Sequence, residues 1–148
     1  YLINSGMEKT SRTPIRIAIA DDQKIFRKFL SGRIAQYSHG AIRVIHESEN
    51  GAELLCRMGY DRPDLILLDL EMPVMNGLQT ARYLNVLFPE IILIGITTKD
   101  KIEQQAELFR NGVRSFVNRD LPAVEIIAKI CRIYEETVSE VELFPVEL

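Results

Sequence analysis

The chain has 148 residues, 47% hydrophobic and 26% charged, which suits one globular domain able to bury about two thirds of its unfolded surface. A net charge of −3, with Lys and Arg scattered along the chain, lacks the footprint of a nucleic-acid-binding surface. No apolar run approaches the roughly 18 residues that span a bilayer, and the first residues lack the order of a signal peptide, so a soluble, cytoplasmic protein without membrane contact is expected. Cys56 and Cys131 are far apart, lie in segments read as helices and have no metal-ligand spacing, which fits a reduced compartment.

Residues 1–13 show neither helical nor strand period; Met7 is read as the native start, with Tyr1 to Gly6 an added leader. Ile15 to Ala20 reads as a strand running into Asp21-Asp22. Ile25, Phe26, Phe29, Leu30, Ile34 and Tyr37 recur at helical spacing over residues 23 to 37. Ile42, Val44 and Ile45 form a short strand, and Glu49-Asn50-Gly51 leads into a second helix with Leu54, Leu55 and Met58 inward and Gly59 as its C-cap.

Leu65-Ile-Leu-Leu68 is an unbroken apolar run, the mark of a strand buried on both faces of a parallel sheet, and it ends in Asp69. Pro73 and Gly77 then shape a loop, with Gly77 free to take positive φ. A third helix presents Leu78, Ala81, Leu84 and Leu87 before Pro89 stops it. Ile91 to Ile96 is the fourth strand, ending in Thr97-Thr98. A helix runs from about Lys101 to Arg110 with Ile102, Ala106, Leu108 and Phe109, and Asn111-Gly112 is its left-handed stop. Val113 to Val117 is the fifth strand. Asp120 caps a final helix from near Pro122 to Glu136, and Val138 to Leu148 is an apolar tail.

Five β-α repeats imply a parallel sheet with right-handed crossovers, in either the flavodoxin-like order 2-1-3-4-5 or a Rossmann half. Every polar candidate then falls at the carboxyl end of a strand: Asp21 and Asp22, Asp69, Thr97 and Arg119. Two carboxylates about 4 Å apart repel by roughly 4 kcal/mol at an effective dielectric near 20, so the cluster calls for a cation or protons. Mg²⁺ suits it, taking oxygen ligands and leaving positions for phosphate oxygens. Asp69 is then the nucleophile toward a phosphoryl group, with Thr97 and Arg119 as partners of its oxygens. Thr97 as a helix cap, Thr98 as the competing hydroxyl, and Arg119 as a surface residue or partner of Asp120 stay open on residue pattern alone. Glu71 is either beside the path of attacking water or a solvated loop acid, and His39 and His46 read as turn or strand-edge residues.

Asp21-Asp22, the string Asp69-Leu-Glu-Met-Pro-Val-Met-Asn-Gly77, Thr97 and the Gly112 to Arg119 segment together resemble the receiver domain of two-component response regulators, over about residues 14 to 136. Residues 137–148 are then a tail or the start of a linker. The resemblance implies the order 2-1-3-4-5 with five helices, and phosphate transfer to Asp69 from a sensor histidine kinase or phosphotransfer protein. It implies Mg²⁺ held by Asp22, Asp69 and the Glu71 carbonyl, with Asp21 acting through water, and a switch carried by Thr97 and Phe116. The domain would assist its own phosphotransfer without being an enzyme toward another substrate. Ile19-Ala-Asp-Asp-Gln23 with Phe26-Arg27 is most similar to receivers that precede a LuxR-type helix-turn-helix, so homodimerisation, and DNA contact only through an output domain outside this chain, are the expected associations. The family normally has Lys-Pro where this chain has Arg119-Asp120, and Arg exchanges a compact ammonium for a planar fork. A receiver-like interaction module impaired in phosphorylation is therefore the alternative. An aspartyl-phosphate phosphatase fits less well, since such enzymes carry their acids on the first strand, and a flavodoxin lacks support because no phosphate loop follows strand one.

Overall fold

A computed structural model describes residues 13–98 and 102–143. Ten elements alternate: β1 Ile15–Ala20, α1 Lys24–Tyr37, β2 Ile42–Ser48, α2 Gly51–Met58, β3 Leu65–Asp69, α3 Gly77–Leu87, β4 Ile92–Thr97, α4 Ile102–Arg110, β5 Val113–Asn118 and α5 Ala123–Leu143. The five strands are parallel in the order β2-β1-β3-β4-β5, the flavodoxin-like choice of the two topologies.

The sheet is covered on both faces, so strand residues alternate between two cores and neither face tolerates polarity. Ile15, Ile17, Ile19, Leu65, Leu67, Ile94, Ile96 and Val117 meet Leu30 and Ile34 of α1 and Ile126, Ile127 and Ile130 of α5. Ala18, Ala20, Ile66, Leu68 and Leu93 turn the other way, onto Leu54, Met58, Ala81, Leu84 and Leu108 of the remaining helices. All five residues of β3 are buried, and each of its apolar side chains contributes about 1.5–3 kcal/mol by leaving water.

Several boundaries differ from the sequence expectation. β2 runs on to Ser48, because His46, Glu47 and Ser48 stay paired with β1 past a register shift, although their polarity hides the strand. The buried stripe of α1 is narrow: Ile25, Phe29 and Tyr37 are exposed, whereas Arg27 is buried. Leu87 and Phe109 are also exposed. Gly59 sits at the C-cap of α2 but keeps right-handed backbone. α5 continues through residues 137 to 143, so the first part of the expected tail is helix. Asp120 does not open that helix: it lies upstream of Ala123, with its N–H donated to the side chain of Asn118. Residues 1–12, Lys101 and the tail from Phe144 onward, to which several expectations refer, lie outside the described residues.

The loop after β3 also departs from expectation. Gly77 is absent from the positive-φ residues, and the left-handed position is Val74, at φ 68. Met75 donates its N–H to Pro73 O across Val74 at 2.7 Å, closing a three-residue turn of the strained γ type. Gly77 is needed for space instead. A Cβ there would lie 2.6 Å from Asp69 O and from Leu70 Cα, which are backbone atoms that no rotamer change can move. Gly77 N–H donates to Leu70 O, and Asn76 with Gln79 forms a reciprocal capping box that starts α3. Gly77→Ala is expected to lower the unfolding free energy by about 1–3 kcal/mol in urea denaturation. Gly32→Ala, in mid-α1 with open space around it, should raise it by up to about 1 kcal/mol.

Candidate functional site

Parallel strands deliver their exit loops to one edge, and there the loops after β1, β3, β4 and β5 meet. Asp21, immediately after β1, is fully buried and held from three sides. Its N–H donates to Ser48 O of β2 (2.9 Å), its Oδ1 accepts from Gln23 N–H (2.8 Å), and its carbonyl accepts from Arg27 Nη1 (2.6 Å). Asp22 follows it into solvent. Asp69 closes β3 opposite Ile96 and accepts from the Glu71 N–H at 3.3 Å. One carboxylate oxygen from each of Asp21, Asp22 and Asp69 lies within 4.8 Å of the others.

Three carboxylates this close, two of them buried, are short of positive charge. Burial pushes the Asp69 carboxyl up to about 7; the charges of Asp21 and Asp22 add to the rise, while the Glu71 N–H and Arg119 oppose it. Asp21 is likewise raised, chiefly by burial, against the pull of the Gln23 N–H and Arg119. An all-oxygen, anionic donor set with this deficit fits a hard divalent cation such as Mg²⁺.

Arg119 supplies part of the missing charge. Its backbone N–H donates to Thr97 O at 2.9 Å, fixing the β5 exit against that of β4. Its guanidinium pairs with Asp21 Oδ2 and stands 3.3 Å from Asp69 Oδ2. The side chain is only 15% exposed, so Arg119 is neither a surface residue nor the partner of Asp120. Thr97 is buried at the end of β4 and donates its hydroxyl to Thr98 O at 2.9 Å. Both threonines line a cleft of about 220 Å³ with Asp22, Gln23, Asp69, Glu71 and Arg119, so the competing hydroxyl is also at the site.

Phe116 lies off this cleft, half-buried, with its ring edge-to-face against Phe109 at 4.9 Å. The ring occupies the notch left by Gly95, where a Cβ would meet it at 2.7 Å. His39 is a turn residue with positive φ, and His46 is buried on β2, where burial lowers its pKa. Three residues of the site escaped the sequence reading. Gln23 Oε1 accepts from Arg119 Nη1 at 2.8 Å, the Phe26 ring underlies the same guanidinium at 4.4 Å, and Arg27 holds the Asp21 carbonyl. They belong to the string that resembles receivers preceding a LuxR-type domain, but apart from their position just after the acid pair nothing in it marks them as site residues.

Comparison with known proteins identifies the family. Residues 17–131 match the response regulator receiver domain, and the chain belongs to that family of two-component signalling domains. It is 34% identical over 106 residues to a protein-glutamate methylesterase/protein-glutamine glutaminase of Carboxydothermus hydrogenoformans, covering 71% of this chain and 31% of that protein. It is 30% identical over 113 residues to the Bacillus subtilis transcriptional regulatory protein YhcZ, covering 76% and 52%. The chain thus spans between about a third and a half of these relatives. The signal receiver domain of the response regulator NarL from Mycobacterium tuberculosis superposes with TM-score 0.76 at 23% identity, over 84% of this chain and 98% of that one. A CheY-like receiver domain protein from Methanospirillum hungatei gives 0.75 at 20%, over 86% and 98%. Among the described residues, no helix is long and apolar enough to cross a membrane.

Because the folded state holds Asp69 at about 7 and the unfolded chain near 3.8, the folded state binds the extra proton between those values. This contribution is favourable at low pH and is lost as pH rises through 7. In the absence of divalent cations, Asp69→Asn is expected to be more stable than the parent by about 2–4 kcal/mol near pH 8, the advantage shrinking toward pH 4 in parallel denaturation series.

Proposed function

We propose that the chain is a phosphoacceptor switch in which Asp69 receives a phosphoryl group from the phosphohistidine of a sensor histidine kinase or phosphotransfer protein. The supporting observation is the convergence of Asp21, Asp22 and Asp69 within 4.8 Å on the sheet edge, beside a cleft that reaches Thr97 and Arg119. An Asp69 oxygen forms the new O–P bond as the donor's N–P bond breaks, and the histidine nitrogen keeps the electron pair and takes up a proton. Mg²⁺ held by Asp22, Asp69 and the Glu71 carbonyl, with Asp21 acting through water, would supply charge compensation for the phosphoryl oxygens. The Thr97 hydroxyl leaves its bond to Thr98 O to meet a phosphoryl oxygen, Arg119 meets another, and the packing of Phe116 against Gly95 and Phe109 changes in step.

Moving such an equilibrium from 1:99 to 99:1 requires about 5.5 kcal/mol of differential stabilisation, within reach of two charge-assisted bonds and a metal. The output is transcriptional, through a domain outside this chain that contacts DNA, with a second copy of the chain as the assembly partner. The Glu71 N–H reaches Asp69 Oδ1, and its carboxylate would tune the lifetime of the acyl phosphate.

One observation favours a second reading, an interaction module that does not take up phosphate: the Arg119 guanidinium already pairs with both Asp21 and Asp69. Incubation with acetyl phosphate and Mg²⁺, followed by intact-mass measurement, separates the two. The switch reading expects one phosphoryl group on the parent and none on Asp69→Asn, while Thr97→Ala is labelled but loses the associated change in its NMR spectrum. No label on the parent, under conditions that label an ordinary receiver, would leave the interaction module.

A further inference from the structure

The site holds its own cation, and two residues outside the acid cluster decide where that cation points. Arg119 presents the two arms of its fork to different partners: Nη2 goes to Asp21 and Asp69, and Nη1 to Gln23 Oε1 at 2.8 Å. The Phe26 ring closes the guanidinium face at 4.4 Å. An exposed arginine samples many rotamers, whereas this one is fixed at both nitrogens and one face, with 15% of its side chain in solvent. Gln23 occupies the N-cap position of α1 without capping it by its side chain, which is turned to Arg119 instead. A lysine ammonium is a single point and cannot hold Gln23 and the carboxylates in the same way.

We infer that Gln23 and Phe26 are positioning residues that lock Arg119 into the carboxylate cluster as a resident cation, against which a divalent cation must compete for Asp21 and Asp69. The inference rests on the reading of Asp21, Asp22 and Asp69 as a divalent-cation site. It makes Gln23 and Phe26, which carry no charge, determinants of metal affinity. A purely structural pin between α1 and the β5 exit would instead alter stability and leave that affinity unchanged.

The test is Mn²⁺ binding followed by electron paramagnetic resonance of the free ion, since the chain has no Trp to report binding by fluorescence. Titration near pH 8.5 of the parent, Gln23→Leu, Phe26→Leu, Arg119→Met and the Gln23→Leu/Arg119→Met double variant gives the comparison, with folding checked by circular dichroism. Arg119→Met is expected to bind Mn²⁺ roughly ten-fold more tightly, and Gln23→Leu and Phe26→Leu roughly three-fold more tightly. The double variant should gain nothing over Arg119→Met, because the Gln23 effect passes through the arginine. Arg119→Lys, which keeps the charge, should also bind more tightly than the parent and serves if Arg119→Met does not fold.

Unchanged affinity in Gln23→Leu and Phe26→Leu overturns the inference, as does a Gln23→Leu gain that persists in the Arg119→Met background. Equal Mn²⁺ affinity in all variants removes the clamp and leaves the phosphoacceptor reading standing. Failure of every variant to bind Mn²⁺ removes both the clamp and the cation site on which it rests.

Discussion

The repulsion among three carboxylates gathered on one edge of a parallel sheet is the constraint on which the rest of the site depends. The topology allows no escape from it. β1 and β3 are neighbours in the order 2-1-3-4-5, and each ends in acid, so closing the sheet brings Asp21 and Asp69 together. Burial raises the pKa of both carboxyls, because the charged form is disfavoured out of water. Two buried cores on either side of β3 make that arrangement affordable, because the strand cannot shift without exposing five buried residues.

Charge compensation is layered. Backbone N–H groups of Gln23 and Glu71 reach the carboxylates of Asp21 and Asp69, and Arg119 Nη2 reaches both. Arg27 stiffens the other side of Asp21 by holding its carbonyl. A divalent cation would enter a site that is already partly neutralised and would compete with Arg119 for Asp21 and Asp69. An arginine at this position therefore alters the site through its reach and its second arm more than through its charge.

The fold was largely legible because β1, β3 and β4 are almost wholly apolar and the exits of β1, β2, β3 and β5 carry a turn residue or an acid. β2 was cut short in the reading because His46-Glu47-Ser48 is polar, even though pairing with β1 keeps it extended. The acids were legible from their positions at strand ends. Gln23 and Phe26 were not, since an uncharged amide and an aromatic residue at the start of an amphipathic helix look like surface and core; only the long-range contact with Arg119, 96 positions from Gln23, reveals their place. Gly77 was picked out for the wrong reason: its role is close backbone approach, and the left-handed turn fell to Val74, a residue type that sequence rules place elsewhere.

The loop after Asp69 is also tied down on one side. Gly51, the first residue of α2, donates its N–H to Met75 O at 3.2 Å, and a Cβ on Gly51 would strike Thr80 Oγ1 of α3. Gly77 N–H returns to Leu70 O, so the loop is stapled both to its own strand and to the neighbouring helix. The Asp69 carboxylate thus has hydrogen-bonded backbone behind it toward α2 and α3. Across the cleft, β4 ends in Thr97, whose hydroxyl donates to Thr98 O, while Phe116 of β5 packs against Phe109 of α4 farther along the sheet. A group added at Asp69 would meet hydrogen-bonded backbone on one flank and the Thr97, Thr98 and Arg119 side chains on the other. The constraint around Asp69 is therefore one-sided, set by which loop is stapled rather than by which residue is charged.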